Sequence, residues 1–304
     1  MSQSSRRRCS YSRNRNKRHL TTIWRIEMNS GNTTLRRYAL LLTVICLSGL
    51  SVFAQEKARH YSKGDFCDNN NFSNGRKVSF KELRETTIPS PSLLNVDARR
   101  NGGVRIKGSD RSDVLVRACI QGSAESEEAA QAVTKNIRIE TGSVVRAEGT
   151  NDEENWAVSY EIHVPRQTNL KLQAQNGGIG ISGVDGSMDF ETQNGGIHLS
   201  QVGGNVKGRT TNGGLHVVLS GSSWRGSGLD VETTNGGVHL SMPQSYAARI
   251  ETGTVNGGFR SDIPALNIDR KDRTRSVRIN TDLNGGGAPV RLITVNGGVH
   301  INSN

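Results

Sequence analysis

Four histidines hold equivalent positions in a repeated motif, and they are the residues whose spacing points most directly to chemistry. Each stands two places after a Gly-Gly pair: His198, His216, His239 and His300. Gly180 and Arg260 hold the same place in neighbouring units. In parallel stacked strands these positions would form a column with a spacing of about 4.8 Å. Because imidazole binds metals and titrates near neutral pH, the column predicts a metal or anionic-ligand site, with a solvated face of polar rings as the alternative.

A metal is the weaker interpretation of the column, and no metal or other cofactor is predicted. A straight row supplies neither a tetrahedral ligand cluster nor the outer groups that orient ligands. The repeats also lack the Asp of calcium-binding Gly-Gly-x-Gly-x-Asp units. No Ser/His/Asp or Cys/His arrangement rises above chance spacing, so no catalytic residue is assigned.

Acidic and basic residues alternate from unit to unit at two other outward positions. Five places before the repeated Asn stand Asp189, Lys207 and Asp230, and three places before it stand Glu191, Arg209 and Glu232. A carbohydrate-active β-helix enzyme would need clustered carboxylates, but here the bases lie between the acids. Opposite charges on adjacent strands stabilise by about 0.2–1 kcal/mol per pair, so ladders of ion pairs are the simpler explanation.

The element that positions all these residues is a repeat built on Asn-Gly-Gly. The motif begins at 101, 176, 194, 212, 235, 256, 284 and 296. Periods near 20 residues indicate a solenoid. After each Gly-Gly the first and third positions are apolar, as in Ile197 and Leu199, which is the alternation of a strand with one buried face.

Two architectures fit this repeat: an up-and-down meander, since Asn-Gly is also a hairpin signal, and a stack of parallel coils. In a meander an intervening strand would separate the alternating charges, and their alternation would serve no purpose. The pattern therefore favours an all-β fold, a right-handed single-stranded β-helix or β-solenoid with one short helix in its N-terminal part.

The repeated asparagines have a structural explanation within such a stack. Asn tolerates the left-handed turn conformation, and the adjacent Gly would supply a positive φ. Stacked side-chain amides can also hydrogen-bond along the axis, as in cross-β ladders. We predict this ladder for Asn176, Asn194, Asn212, Asn235, Asn256, Asn284 and Asn296.

The region before the array mixes strands with one helix. Residues 55–92 are polar and irregular and are predicted to form an N-terminal arm, and the solenoid domain is predicted over 93–304, with its Asn-Gly-Gly array over 176–304. A helix is predicted after an N-cap at Ser123, with acids in its first turn. Residues 93–165 would cap one end of the stack, and Ile301–Asn304 would form its other end. Trp156 and Tyr160 are expected in the core.

The first 54 residues are predicted to be a leader. Residues 1–27 form a basic extension that is untranslated or disordered, because Met28 is a plausible start. Residues 28–54 have the charged, apolar and small-residue segments of a secretory signal peptide. They precede a chain with no other stretch apolar enough to span a membrane.

The leader also accounts for the basic character of the chain. The formal net charge is +11, but residues 1–54 hold ten of the 39 Lys and Arg and one of the 28 acids, which leaves 29 basic and 27 acidic residues from Gln55 onward. A nucleic-acid partner therefore loses its main support.

Two cysteines remain after the leader, Cys67 and Cys119. An even number of cysteines fits an oxidising compartment. A disulfide between them is possible, although spacing alone does not show whether the two Cα atoms approach closely enough.

Several motifs together resemble one family. They are the Asn-Gly-Gly units, the second turns such as Gly183-Val184-Asp185-Gly186, the helix, and the alternating stretch at 156–165. Over about residues 93–304 the chain resembles the bacterial adhesin-like family of exported β-strand-repeat proteins of unknown function, which is similar to the head domains of auto-transporter adhesins. The resemblance implies a right-handed single-stranded β-helix and an envelope or surface location, and it supplies no catalytic residues.

The sequence thus predicts an exported, non-catalytic solenoid that presents a regular face to an envelope polymer or a partner protein. It would be periplasmic or at the cell surface, with no membrane span after signal cleavage. Two alternatives remain open: a carbohydrate-active β-helix enzyme, and a structural envelope protein that acts by self-association.

Overall fold

The computed structural model describes residues 57–59, 66–68, 72, 75, 78–149, 154–266 and 276–304. All of them belong to one compact unit that runs from Phe53 to Asn304. The predictions for residues 1–27 and 28–54 lie outside the described residues.

This unit is built from strands, with one α-helix, α1 (Glu127–Lys135), and one short 3-10 helix (Pro264–Leu266) among the described residues. The strands are β1 (Lys57–Arg59), β2 (Val78–Pro89), β3 (Leu94–Asp97), β4 (Val104–Ser109), β5 (Asp113–Ala124), β6 (Arg138–Thr141), β7 (Val145–Glu148), β8 (Trp156–Pro165), β9 (Leu170–Ala174), β10 (Ile179–Ser182), β11 (Asp185–Asn194), β12 (Ile197–Ser200), β13 (Gly203–Asn212), β14 (Leu215–Val218), β15 (Gly228–Asn235), β16 (Val238–Met242), β17 (Ala248–Asn256), β18 (Phe259–Ser261), β19 (Val277–Leu283), β20 (Pro289–Asn296) and β21 (Val299–Ser303).

The strands form two large sheets. The first sheet has 11 strands in the order β1-β2-β5-β8-β4-β10-β12-β14-β16-β21-β18. The second sheet has ten in the order β19-β17-β20-β15-β13-β11-β9-β3-β7-β6. Each coil of the array contributes one strand to each sheet, so the Asn-Gly-Gly turn is the corner at which the chain passes from the second sheet to the first.

Within the array, successive coils run parallel and in register. Ile197 lies opposite Ile179 on one side and Leu215 on the other, and Asn194 lies opposite Asn212. The prediction of parallel coils rather than a meander is therefore confirmed.

The apolar alternation also has the predicted role. The first and third residues after the Gly-Gly pair are buried in the coils that begin at 101, 176, 194, 212, 235 and 296, and together with Trp156 and Tyr160 they belong to one continuous core. Period-two burial on these coils is what fixes the register, because a one-residue slip would turn the apolar side chains to solvent.

The last coil in sequence is not the last in space. Strands β20 and β21 pair with β15 and β16, and β17 and β18 lie outside them. Strand β19 then pairs antiparallel with β17 and forms the edge of the second sheet. The expectation that Ile301–Asn304 forms the bare end of the stack is wrong, because β21 is covered on both sides.

The N-terminal part begins earlier than predicted. Strand β2 lies inside the predicted arm over 55–92, and it pairs antiparallel with β5 along all of its 12 residues. Only Leu83, Thr86 and Ile88 are buried in it. Because these buried residues do not alternate regularly, the strand has no period-two pattern in the sequence. The predicted start of the β-domain at residue 93 is therefore wrong for residues 78–89.

The predicted helix is present but starts later than its predicted cap. The N-cap is Ser126, whose hydroxyl accepts a hydrogen bond from the backbone of Ala129 at 3.3 Å. Ser123, the predicted cap, is a buried residue of β5.

Candidate binding face on the first sheet

The four histidines form one row on the outer surface of the first sheet. His198, His216, His239 and His300 are direct neighbours across β12, β14, β16 and β21. The distances between successive ring centroids are 4.7, 6.2 and 5.9 Å, and the first two pairs are stacked. The residues beside the histidine row determine which ligands this surface can bind.

Positive charge stands at both ends of the histidine row. Arg105 of β4 and Gly180 of β10 precede His198 in register, and Arg260 of β18 follows His300. We call the outer surface of β4, β10, β12, β14, β16, β21 and β18 the His face. No Asp or Glu occurs in any of these seven strands.

A strip without side chains runs beside the histidine row. It consists of the second glycine of each motif, as in Gly178, Gly196 and Gly214. The carbonyl of each of these glycines accepts a hydrogen bond from the backbone N–H of the first residue of the neighbouring strand. On its far side lies the turn that carries the asparagines. The His face therefore has a bare backbone strip bounded by imidazoles on one side and amides on the other.

The asparagine side chains form a continuous hydrogen-bonded ladder. Each Nδ2 donates to the Oδ1 of the adjacent Asn at 2.8 Å, or 3.2 Å for the first pair. The spatial order is Asn101, Asn176, Asn194, Asn212, Asn235, Asn296 and Asn256. Sequence reasoning left out Asn101, although it begins an Asn-Gly-Gly motif.

The inclusion of Asn284 in the ladder is wrong. Its side chain donates instead to the carbonyls of Gln244 and Tyr246, at 2.8 and 2.9 Å, and its backbone has a φ of 50°. It follows β19, an antiparallel edge strand, so it stands at a different kind of turn.

The first glycine of the motif is required by close approach, which differs from the expected reason. Its φ is positive in only two of the eight motifs, at Gly102 and Gly285. A Cβ on Gly213 would overlap the carbonyl oxygen of Gly195 in the adjacent coil, and the other coils repeat this clash. The same carbonyls accept hydrogen bonds from a buried row of threonine hydroxyls, as from Thr210 to Gly195 at 2.8 Å. The prediction of a positive φ beside the asparagine is therefore wrong for the other motifs.

A groove of about 930 Å³ opens at Gly180, which has no side chain and lies between Arg105 and His198. Arg105, His198, Phe66 and Phe72 line the groove. A disulfide joins Cys67 to Cys119 of β5, with a Cα–Cα distance of 5.3 Å. It tethers the segment that carries Phe66 to the first sheet.

Phe66 and Phe72, which form one wall of the groove, make further contacts with residues of β5. The backbone N–H of Phe72 donates to Oε1 of Gln121 at 2.8 Å, and the guanidinium of Arg117 lies 5.2 Å from the ring centroid of Phe66. Sequence reasoning missed these residues because they lie far in sequence from the repeats; only Arg105, two places after a Gly-Gly pair, carried a signal.

A buried carboxylate organises the cationic end of the groove. Glu161 of β8 bonds Arg117 at 2.6 Å and Lys107 at 2.7 Å, and Arg105 lies 3.7 Å away. Burial alone would raise the pKa of Glu161, but the hydrogen bonds from Lys107 and Arg117 lower that pKa to about 2. Arg117 is also paired with Glu85 at 2.9 Å, so two carboxylates face three cations and this end keeps a small excess of positive charge.

The histidine next to the gap is also shifted. Partial burial, the neighbouring ring of His216 and the charge of Arg105 lower the pKa of His198. At neutral pH its imidazole is therefore uncharged.

The outer surface of the second sheet has a different character. A row of alternating charge crosses β9, β11, β13, β15, β20 and β17 in register: Lys171, Asp189, Lys207, Asp230, Arg291 and Glu251. Arg209 and Glu191 pair in the next row at 2.9 Å. These charges are neutralised by their neighbours along the whole row, whereas on the His face Glu161 of β8 pairs with Lys107 and Arg105 at one end only.

Metal binding has no cluster to support it in the described part of the chain, where no three His, Cys, Asp or Glu side chains lie close enough to hold an ion. The described residues also contain no helix with the length and hydropathy needed to cross a membrane.

These features define a class: a β-repeat protein in which equivalent side chains form rows on two sheets. The family model of the toastrack domain DUF4097 matches residues 85–302. The chain belongs to this family. No curated protein shows significant sequence similarity to it.

The chain is also similar to solved structures of bacterial proteins. One is a proposed cell adhesion protein from Clostridium sporogenes, with 11% identity and a TM-score of 0.37, covering 75% of this chain and 100% of that one. Another is a proposed adhesin from Bacteroides fragilis, with 10% identity and a TM-score of 0.31, covering 72% of this chain and 96% of that one.

Proposed function

We propose that the protein is an exported, non-catalytic, adhesin-like protein whose His face binds an extended partner, an envelope polymer or a protein. The observation that carries this proposal is the in-register row of four imidazoles between two arginines, beside a bare glycine strip. Repeat proteins use such long regular faces for binding. The coils would belong to one right-handed, single-stranded winding, which their parallel pairing supports.

The arrangement of carboxylates supports a binding role over catalysis. The His face strands contain none, and those of the second sheet stand opposite bases in neighbouring strands. General acid–base hydrolysis of a glycan needs two carboxylates that flank the bond to be cleaved. Neither surface offers such a pair free of cationic partners.

The disulfide supports export. Structural disulfides persist in oxidising compartments and are rare in the cytosol, and Cys67 is bonded to Cys119. We infer a periplasmic or cell-surface location, reached through a signal peptide over residues 28–54.

The proposal is tested by binding the purified protein to a panel of immobilised surfaces: insoluble peptidoglycan, neutral polysaccharides, acidic polysaccharides and fibrous proteins. Two triple variants remove matched rows of three adjacent side chains. H198N/H216N/H239N alters the His face, and K171N/D189N/K207N alters the second sheet.

We expect at least one surface to retain the wild-type protein and the second-sheet variant equally. The His-face variant should bind that surface at least about tenfold more weakly, which corresponds to about 1.4 kcal/mol. Retention of no surface, or equal binding by both variants, would contradict the proposal.

A further inference from the structure

We propose that the partner of the His face is a linear acidic polysaccharide, bound along the stack axis from the groove at Gly180, and that mild acid strengthens this binding. This inference rests on the proposed function and assigns its ligand class. Three kinds of feature carry it: the charge of the face, the shape of the glycine strip, and the exposed amide row.

Charge selects an anionic ligand. Arg105 and Lys107 stand at the groove, and Arg260 at the far end of the row. The seven strands of the His face contain no carboxylate, and the one acid paired with its cations is Glu161 of the adjoining β8, which bonds Lys107 and lies 3.7 Å from Arg105. Surfaces of one sign raise the local concentration of ligands of the opposite sign.

Of the carboxylates that lie close in sequence to these strands, Asp110 and Asp185 are engaged elsewhere, and Asp262 is exposed directly after β18. Asp110 pairs with Arg166 at 2.8 Å, and Asp185 pairs with Arg225 at 2.9 Å. Glu161 is buried beneath the cations of β4. Asp262 follows the end of β18, beyond the histidine row.

Shape and hydrogen-bonding capacity select a glycan over an acidic peptide. The glycine strip lets a flat ring lie against the backbone without meeting side chains. Each interior amide of the Asn ladder, from Asn176 to Asn296, uses one donor and one acceptor on its neighbours, and an amide has two donors and two lone pairs. The remainder faces outward once per coil, an array suited to the many hydroxyls of a sugar chain.

The peptide groups of the His face, by contrast, are occupied within the sheet. The main chain of an acidic peptide would therefore find no unpaired strand along the middle of the row. Phe66 and Phe72 add apolar surface at the groove, against which a sugar ring can pack.

The imidazoles make the binding depend on pH. Imidazole in general gains a proton as the pH falls from neutral to mildly acidic values, whereas sugar carboxylates keep their charge down to about pH 4. Lowering the pH from 7.5 to 5.0 therefore adds positive charge to the row while the ligand remains anionic. Arg105, Lys107 and Arg260, which face the row, stay cationic throughout this range, and their charge disfavours protonation of the imidazoles. A bound polyanion offsets this repulsion and therefore favours protonation of the imidazoles.

The probe is polygalacturonate, immobilised on a biosensor, with dextran as the neutral polymer and polyglutamate as the acidic peptide. We expect polygalacturonate to bind the full chain about tenfold more tightly at pH 5.0 than at pH 7.5, the factor given by a one-unit rise in the pKa of a single imidazole. H198N/H216N/H239N should lose this enhancement, and R105Q should weaken binding at both pH values. K171N/K207N, which removes two cations from the second sheet, should behave as wild type.

Absent binding of polygalacturonate, binding that ignores pH, or equal binding of polyglutamate would overturn the inference. The single variant H216N covers the case in which the triple variant does not fold, and it should reduce the enhancement. If polygalacturonate fails while another panel surface is held through the His face, the acidic-glycan inference falls and the proposed function stands.

Discussion

At the scale of single residues, the two glycines of each motif do different work. The first touches the carbonyl of the coil below, and the second borders the open strip of the His face. A Cβ on Gly214 would lie 3.4 Å from the carbonyl oxygen of Gly237, an ordinary contact, whereas one on Gly213 would overlap that of Gly195.

We therefore expect the adjacent substitutions Gly213→Ala and Gly214→Ala to differ sharply. Overpacking against backbone costs about 1–3 kcal/mol, so Gly213→Ala should lose at least that much stability in urea unfolding. Gly214→Ala should stay within about 1 kcal/mol of wild type. Equal losses in the two variants would show that close approach is not why the motif carries its first glycine.

Glu161 predicts a pH dependence of stability. Its folded-state pKa is depressed from an ordinary 4.5 to about 2. A depressed carboxyl pKa contributes stability that is present above the ordinary value and is lost as the pH falls through the folded value. The stability contributed by Glu161 should therefore fall by roughly 3 kcal/mol between about pH 4.5 and pH 2.

Urea unfolding of wild type and Glu161→Gln across this range tests the assignment. The two should differ most near pH 7 and converge towards pH 2. Glu191→Gln, which alters an exposed pair, should run parallel to wild type. A constant gap between Glu161→Gln and wild type would contradict the role given to Glu161.

At the scale of elements, the alternating charges hold neighbouring coils of the second sheet. Lys207 lies between Asp189 and Asp230. Lys207→Glu would place three acids side by side and should cost about 1 kcal/mol. Since exposed charges are screened by salt, unfolding in 1 M NaCl should show a smaller loss; a loss unaffected by salt would argue against this explanation.

The disulfide is the element that holds one wall of the groove. Removing it with C67S/C119S should cost about 2–4 kcal/mol, mainly by freeing the unfolded chain. We also expect weaker polygalacturonate binding in this variant at a temperature where it remains folded. Unchanged binding would remove the tethered segment from the site.

Sequence alone could predict the repeated coils and their rows, because the same motif recurs with apolar residues at fixed offsets. It could not predict the spatial order of the last coils. Every coil carries the same Asn-Gly-Gly corner, so β20 fits beside β15 as well as β17 would. The groove could not be predicted either. The motifs at Asn101 and Asn176, which border it, are 75 residues apart in sequence, and Phe66 is held there by the disulfide of its neighbour Cys67.

At the scale of the whole compact unit, the two sheets present different electrostatic surfaces. The second sheet neutralises its charges pairwise along its row, whereas the seven strands of the His face contain no acid and are opposed by Glu161 of β8 at one end only. This difference gives binding its direction, because the His face attracts an anionic polymer more strongly than the second sheet does.

The most direct test of this account is a protection footprint by mass spectrometry, in which diethyl pyrocarbonate modifies exposed histidines and lysines with and without the polymer that the panel identifies. The account predicts slower modification of His198, His216, His239 and His300 together, with Lys171 and Lys207 unchanged. Protection of the two lysines, with the four histidines unaffected, would contradict it.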